Sequence, residues 1–121
     1  MWLFTETGFF SIVQKKGEKN LTIRSRAAKD LEQLRDNHLP GMGAIIKGGG
    51  TDYPYRATAS HDDVADALSK ISKEIHYDNF KNTIAQKLGH QRAAVYGGVW
   101  EVLLAIEKEE ACSRNINFVS S

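Results

Sequence analysis

The sequence predicts an α+β fold in which one four-stranded antiparallel sheet carries its helices on one face. Two observations lead to this prediction. Residues 2–16 are rich in aromatic and β-branched side chains, and residues 21–25 alternate apolar and polar side chains before a helical pattern over residues 27–39. From residue 60 onward, apolar positions recur at helical spacing. The predicted order is therefore ββαββα, followed by two additional C-terminal helices.

The chain begins with an aromatic and β-branched stretch that is typical of strands. Residues 2–16 are predicted to form one strand, with Gly8 as a bulge or bend inside it. The polar segment KKGEKN, residues 15–20, is a turn, and LTIRS, residues 21–25, returns as the next strand. Side chains alternate on both sides of this turn, which predicts a hairpin with one buried face.

A helix and a second pair of strands follow. The helix covers residues 27–39 and ends because Pro40 cannot continue it. Residues 43–47 form a short strand, a glycine-rich loop follows, and residues 53–60 pair with that strand. Pro54 cannot donate to a strand ladder, so we expect an edge strand or a bulge at that position.

The remaining sequence is helical. Ser60 and Asp63 resemble a capping box at the start of one helix. Asp78 is the predicted N-cap of a short helix that ends at Gly89, and a last helix covers residues 91–109. The predicted buried positions of these three helices are Val64, Leu68, Ile71 and Ile75; Phe80, Ile84 and Leu88; and Val95, Val99, Val102 and Ile106.

Size and composition limit the possible classes of protein. The 121 residues fit one domain, which we place at residues 1–109 with a flexible C-terminal tail over residues 110–121. The net charge of +1 gives no broad field to hold nucleic acid or a membrane surface. The single Cys112 has no internal disulfide partner, which favours a reducing compartment. No apolar run approaches the length of a membrane span, so we predict a cytoplasmic protein.

Five separated segments occur in an order that matches a known family. They are MWLFTETGFFS, IRSRAAKDLEQL, DYPYRAT, IHYDNFKN and YGGVWEVL. Together they resemble a family of small, stand-alone, uncharacterised bacterial proteins, over residues 1–106 of this chain. The resemblance implies a single α+β domain and implies no activity. This chain differs in its longer glycine loop, GMGAIIKGGG, and in the residues that follow Ile106.

The segment HYDNFKN, residues 76–82, concentrates ionisable and polar side chains between two predicted helices. As a reactive site, it offers His76 as a base, with Ser72 one helical turn before it. As a structural joint, it offers Asp78 as a cap and Phe80 as a core residue. The apolar stripe restarts at Phe80, which favours the joint between two helices.

We predict no metal site and no cofactor. The loop GMGAIIKGGG lacks the GxxxxGK[ST] and GxGxxG patterns and precedes no helix, so a mobile hairpin loop explains it better than a phosphate cradle. The histidines are far apart and show neither HxxxH nor HExxH spacing. They are His38, His61, His76 and His90.

Cations and tyrosines form the candidate ligand site. Where arginines line a cleft, they hold carboxylates or phosphates with two parallel hydrogen bonds. The alternative is that these side chains form ion pairs that only fix the fold. The candidate ligand-binding residues are Arg24, Arg26, Tyr55, Arg56, Tyr77 and Lys81, and their candidate ion-pair partners are Asp30, Asp52, Asp78 and Glu101.

A nucleic-acid interface is a further hypothesis. Basic residues in the first hairpin could hold phosphates while Tyr53 and Tyr55 stack on bases. Against it, the RNP consensus is missing, and Glu6, Glu18 and Asp52 dilute the positive charge. These features favour a solvated face. The basic residues concerned are Lys15, Lys16, Lys19, Arg24 and Arg26.

The leading functional prediction is a non-enzymatic interaction or oligomerisation module, most simply a homodimer. The chain has more large apolar residues than one face of a small sheet can bury, so some of them are expected at a subunit interface. An anion-binding protein or minor enzyme is the alternative, and nucleic-acid binding is the third reading. The predicted interface residues are Trp2, Phe4, Phe10, Trp100 and Leu104.

Overall fold

The computed structural model describes residues 1–48 and 52–120, with side chains described as far as Arg114. It confirms the α+β class, but the antiparallel sheet has five strands instead of the predicted four. The chain divides into two compact units, Met1–Asp78 and Asn79–Ser121, a division that the sequence did not indicate.

The first unit contains the whole sheet and two helices. Its strands follow the order β1-β2-β3-β5-β4, and each neighbouring pair is antiparallel. The elements are β1 (Trp2–Thr5), β2 (Gly8–Val13), β3 (Leu21–Ser25), α1 (Ala28–Asn37), β4 (Ile46–Lys47), β5 (Tyr55–Ala59) and α2 (His61–Lys73).

The fifth strand arises because the predicted single strand over residues 2–16 is a hairpin. Thr5 Oγ1 accepts a hydrogen bond from the Thr7 N–H at 3.2 Å and donates one to the Gly8 carbonyl at 3.2 Å. These bonds close a two-residue turn between β1 and β2. A Cβ at Gly8 would lie 2.5 to 2.6 Å from atoms of the Asp30 side chain on α1. Glycine is therefore required by the close approach of the helix.

The later strands are shorter than predicted. β4 contains only two residues of the predicted strand over residues 43–47, and residues 49–51 of the following loop lie outside the described residues. β5 pairs with β3 on one side and with β4 on the other, so the expected edge position for Pro54 is wrong. Pro54 precedes β5 and accepts a hydrogen bond from the Gly48 N–H at 2.9 Å.

The predicted hairpin between β2 and β3 is confirmed, and its buried face begins the core. Ile12 lies opposite Ile23, and both point towards α1 and α2. Phe10 is 0% exposed, so its predicted place at a subunit interface is wrong. The buried core comprises Phe10, Ile12, Ile23, Leu31, Leu34, Leu39, Met42, Ala57, Ala59, Val64 and Ala67.

The predicted start of α2 is confirmed, whereas its predicted C-terminal stripe is too long. Ser60 Oγ accepts a hydrogen bond from the Asp63 N–H at 3.1 Å. The helix ends at Lys73, so Ile75 lies beyond it and is 49% exposed. At this end, His38 Nε2 lies 2.6 Å from Glu74 Oε2, which joins the residues that follow α1 and α2.

The second unit contains α3 (Phe80–Leu88), α4 (His90–Leu103) and α5 (Ala105–Ser120). The N-cap of α3 is Asn79, not the predicted Asp78, and its Oδ1 accepts a hydrogen bond from the Asn82 N–H at 3.0 Å. Gly89 ends α3 as predicted, with φ at +102°. The predicted single helix over residues 91–109 is interrupted at Leu104, and residues 110–120, predicted as a tail, continue α5.

The side of α4 that packs on α3 is not the predicted one. Ala93 and Tyr96 are buried, and the Phe80 ring stacks on the Tyr96 ring with centroids 6.2 Å apart. A Cβ added at Gly97 would lie 3.3 Å from Lys81 Nζ, so this glycine leaves room for the end of the Lys81 side chain of α3. The predicted buried positions Val95, Val102 and Ile106 are exposed instead. None of the described helices is long and apolar enough to cross a membrane.

Candidate functional site

One face of the sheet carries a row of side chains from all five strands. Ser11 lies opposite Trp2 on one side and Arg24 on the other. Arg24 lies opposite Arg56, which in turn lies opposite Ile46. Directly opposite residues share a face, so these five side chains form one row. We call the side of the sheet that bears them the arginine face.

The arginine face is opposite the core. Ile23 and Ala57 precede and follow the two arginines in their strands, and both are buried in the core with α1 and α2. Because successive residues of a strand point to opposite sides, Arg24 and Arg56 point away from these helices. The alternation of LTIRS therefore separates apolar packing from charge within a single strand.

Tyr53 holds two of the arginines. It is buried just before β5, and the guanidinium carbons of Arg24 and Arg26 lie 4.7 Å and 5.0 Å from its ring centroid. Arg24 Nη2 also donates a hydrogen bond to Ser11 Oγ at 2.7 Å. Cation–π contact and this hydrogen bond fix the Arg24 guanidinium over β2 and β3.

The arginines have no carboxylate partner among the described residues. Arg24 and Arg56 nevertheless face each other on adjacent strands, an arrangement in which like charges destabilise the pair. Their Nε atoms are buried and meet no acceptor in the described structure, and such a donor costs about 1–3 kcal/mol. Arg26 adds a third positive charge beside them. The face thus carries a concentration of charge that the described chain does not neutralise.

Carboxylates are engaged elsewhere. Asp36 accepts a hydrogen bond from Arg35 on the exposed side of α1, which lowers the pKa of the Asp36 carboxyl and raises the pKa of Arg35. Asp30 is buried on the core side of the sheet, where it accepts a hydrogen bond from the Phe9 N–H at 3.0 Å. Asp66 pairs with Lys70 one turn along α2. The predicted ion pairs that would have made the arginines structural are not formed by Arg24, Arg26 or Arg56 in the described chain.

The other predicted ligand-binding residues do not belong to the row that contains Arg24 and Arg56. Tyr55 points to the opposite face, where it packs against the core. Lys81 belongs to the second unit, where its ammonium lies beside Gly97. Tyr77 follows α2 and is half-buried. Arg24, Arg26 and Arg56 are therefore the members of the predicted set that the sheet brings together.

Two residues of the site, Tyr53 and Ser11, were not among the ligand-binding residues predicted from sequence. Tyr53 and Tyr55 were both predicted to lie in the strand over residues 53–60, but β5 begins only after Pro54. The rings consequently lie on opposite sides of the sheet. Ser11 becomes part of the site only through the register of β2 with β3. Pro54, which cannot donate to a strand ladder, was a usable signal that Tyr53 lies outside the strand. Ser11 could be found only from the pairing of β2 with β3.

The predicted basic patch in the first hairpin does not form one surface. Lys15, Lys16 and Lys19 lie in the turn between β2 and β3, where the Glu18 N–H donates to the Lys15 carbonyl at 3.0 Å. Arg24 lies towards the other end of β3. An extended chain of five residues spans about 17 Å, so the lysines lie well away from the arginine row.

HYDNFKN contributes the joint that its flanks indicated. Because α2 ends at Lys73, Ser72 and His76 do not share a helix, and Ser72 Oγ donates to the Ser69 carbonyl at 2.8 Å. His76 is exposed. The boundary between the two units falls inside this segment, just before the Asn79 cap. No group of three or more potential metal-binding side chains occurs in the described part of the chain.

Comparison with known proteins gives no relative from which a function could be transferred. No family model, no curated protein and no solved structure matches the chain significantly. The resemblance to small bacterial proteins therefore stays a prediction, and functional inference rests on the residues of this chain.

Proposed function

We propose that the protein is a non-enzymatic binding protein whose arginine face holds a small ligand with phosphate or carboxylate groups. One observation carries the proposal. Arg24, Arg26 and Arg56 lie together on one side of the sheet, and no described carboxylate pairs with any of them. A bound anion converts the repulsion between facing guanidinium groups into two charge-assisted hydrogen-bonding contacts.

The surroundings of the arginines support binding more than catalysis. Ser11 is only 1% exposed, and its buried hydroxyl accepts a hydrogen bond from Arg24. No described histidine or carboxylate contacts Ser11, so the site lacks a nucleophile with an adjacent base. Tyr53 limits the motion of two guanidinium groups before any ligand arrives, which lowers the entropic cost of binding.

Calorimetric titration with inorganic pyrophosphate tests the proposal. We expect Arg24→Met and Arg56→Met each to weaken binding at least tenfold, because each removes a charged donor while keeping an apolar stem. Lys16→Met is the matched control, since it removes one positive charge in the distant turn, and it should bind like the wild type. Equal weakening by all three variants, or no binding at low salt, would contradict an anion site on the arginine face.

A second candidate function, self-association into a homodimer, is supported by the outer side of α4 and α5. Val95, Val99, Val102 and Ile106 repeat at intervals of four, three and four residues, the spacing of a coiled-coil seam. Val102 is 73% exposed, and Val95 and Ile106 are also exposed. Ile106 lies on α5 and the three valines lie on α4, so a second copy of the same two helices is suited to cover this exposed seam.

The seam differs from the interface predicted from sequence. Trp100 is exposed, but it lies roughly 140° around the helix from Val95, since each residue turns by about 100°. Leu104 lies still further from the seam by the same geometry, and Phe10 is buried in the core. Trp2 and Phe4 belong to the sheet, where Phe4 stacks on Phe9 at 4.5 Å. Self-association therefore rests on the valine and isoleucine seam.

Sedimentation velocity over a range of protein concentrations tests the seam. We expect the wild type to shift from monomer to dimer and Val102→Glu to remain a monomer, because the dimer would bury an unpaired carboxylate. Ala94→Glu, on an exposed position of α4 outside the seam, should still dimerise. A wild type that stays monomeric at all concentrations would contradict this second function. Because Cys112 is exposed and unpaired, we also propose a reducing, cytoplasmic location.

A further inference from the structure

Trp2 stands in the same row as the arginines. It lies opposite Ser11, which lies opposite Arg24, so two strand spacings of about 5 Å each separate the backbones of Trp2 and Arg24. Arg24 shortens this interval, because its guanidinium reaches back to Ser11 Oγ at 2.7 Å. The Trp2 ring and the fixed Arg24 cation are thus close on one face, and the small side chain of Ser11 on β2 lies between them.

The Trp2 ring packs against a neighbouring ring of the sheet, and most of its surface is exposed to solvent. It forms a T-shaped contact with the Phe9 ring, with centroids 6.1 Å apart and planes at 83°. Phe9 in turn stacks on Phe4. The residue is nevertheless 67% exposed, so much of the indole surface meets solvent. A single exposed tryptophan is ordinary on its own, but one placed beside unpaired arginines is suited to a ligand that is both aromatic and anionic.

We infer that the ligand of the arginine face is a nucleotide, whose phosphates contact Arg24 and Arg56 and whose base stacks on Trp2. The inference deepens the proposed function and depends on it. Guanidinium groups bind phosphate oxygens in a bidentate manner, and an indole ring stacks on any base. In a nucleotide the ribose lies between the base and the phosphates, just as Ser11 lies between Trp2 and Arg24 on this face.

The composition of the face favours a free nucleotide over a nucleic-acid strand. Proteins that hold single strands present successive aromatic rings along a positively charged groove. Here one ring, Trp2, is largely exposed, whereas Tyr53 is buried between its arginines and Phe9 is covered in part by its neighbours. The lysines that could extend the track lie at the far end of the hairpin, and the net charge of the chain is only +1.

Tryptophan fluorescence can report this binding mode directly. The chain has two tryptophans, so Trp100→Phe leaves Trp2 as the only indole. The Trp100→Phe protein is titrated with ADP, with inorganic pyrophosphate and with short single-stranded oligonucleotides of two lengths, all at one ionic strength. Excitation at the red edge of the indole band avoids absorption by adenine. We expect ADP to quench Trp2 and to bind at least tenfold more tightly than pyrophosphate.

Variants of Trp2 supply the controls, with calorimetry as the readout once the indole is removed. Trp2→Leu should bind pyrophosphate like the wild type and lose the preference for ADP, while Trp2→Phe should keep part of it. Pyrophosphate binding without a preference for ADP would overturn the nucleotide inference and leave the proposed anion site standing. Failure of both ligands to bind would overturn both proposals. Affinity that rises steadily with oligonucleotide length would identify a strand-binding surface and overturn the free nucleotide.

Discussion

Ile23 and Arg24 are neighbours on β3, yet they point into surroundings that have nothing in common. Ile23 is fully buried between the sheet and its two helices, in contact with other apolar side chains. Arg24 lies on the arginine face, opposite Arg56 and beside Tyr53. The same alternation runs through β2, where Phe10 is buried in the core and Ser11 accepts the Arg24 hydrogen bond.

This comparison separates the part of the sheet that stabilises the fold from the part that is available for a ligand. The core face gains free energy by removing apolar surface from water. The arginine face does the opposite, since it places two like charges on directly opposed residues and buries guanidinium N–H groups without described acceptors. Stability alone gives no reason to place two like charges opposite each other, whereas anion binding does.

The two faces should differ most in how much the free energy of unfolding falls when Phe9 or Phe10 is replaced. Phe10→Ala empties a fully buried position and should lower the free energy of unfolding by about 3–5 kcal/mol. Phe9→Ala removes a partly exposed ring from the other side of the same strand and should cost clearly less. Urea denaturation of both variants measures this. Equal losses would contradict the division of the sheet into a stabilising face and a ligand face.

A smaller loss is expected where α1 approaches the sheet. Gly8→Ala would place a Cβ against the Asp30 side chain and should destabilise the fold by about 1–3 kcal/mol. Because the Asp30 Cβ is itself 2.6 Å from that added atom, only Asp30→Gly removes the clash, and the losses of Gly8→Ala and Asp30→Gly should not add. Simple additivity in the double-mutant cycle would show that Gly8 is needed for some reason other than the carboxylate.

The smallest effect on stability is expected on the arginine face. Arg24→Met and Arg56→Met each relieve the repulsion between facing charges, so at low ionic strength Arg56→Met should leave the free energy of unfolding level or raise it by up to about 1 kcal/mol. Arg24→Met should gain less, because it also removes the hydrogen bond to Ser11 and the contact with Tyr53. Thermal and urea unfolding of the two variants provide the measurement. A loss of several kcal/mol would identify the arginines as structural residues.

The features that sequence predicted well are those decided by nearby residues. The hairpin of β2 and β3 follows from alternation around one polar turn, and the Ser60 cap follows from a hydroxyl three residues before an acidic residue. The end of α3 at Gly89 has the same local origin. The split of residues 2–16 into two strands was missed because the need for Gly8 depends on Asp30, which lies 22 residues further along the chain.

The candidate site was predicted in part for a similar reason. Its three arginines were named as candidate ligand-binding residues from sequence, but the row from Trp2 to Arg56 exists only through the register of four strands. In α4, apolar residues occur on several sides, so periodicity could not identify the side that packs on α3. Small residues decide that contact, with Ala93 buried and Gly97 beside Lys81.

The most direct test of the account is the effect of pyrophosphate on the unfolding of the wild type and of Arg56→Met, measured in urea with and without the anion. A ligand at 100 times its dissociation constant stabilises a protein by about 2.7 kcal/mol, whereas a tenfold weaker site at the same concentration gains only about 1.4 kcal/mol. We predict that Arg56→Met is at least as stable as the wild type without pyrophosphate and gains markedly less from it. A variant that is destabilised alone, yet gains as much as the wild type, would contradict the assignment of the arginine face to ligand binding.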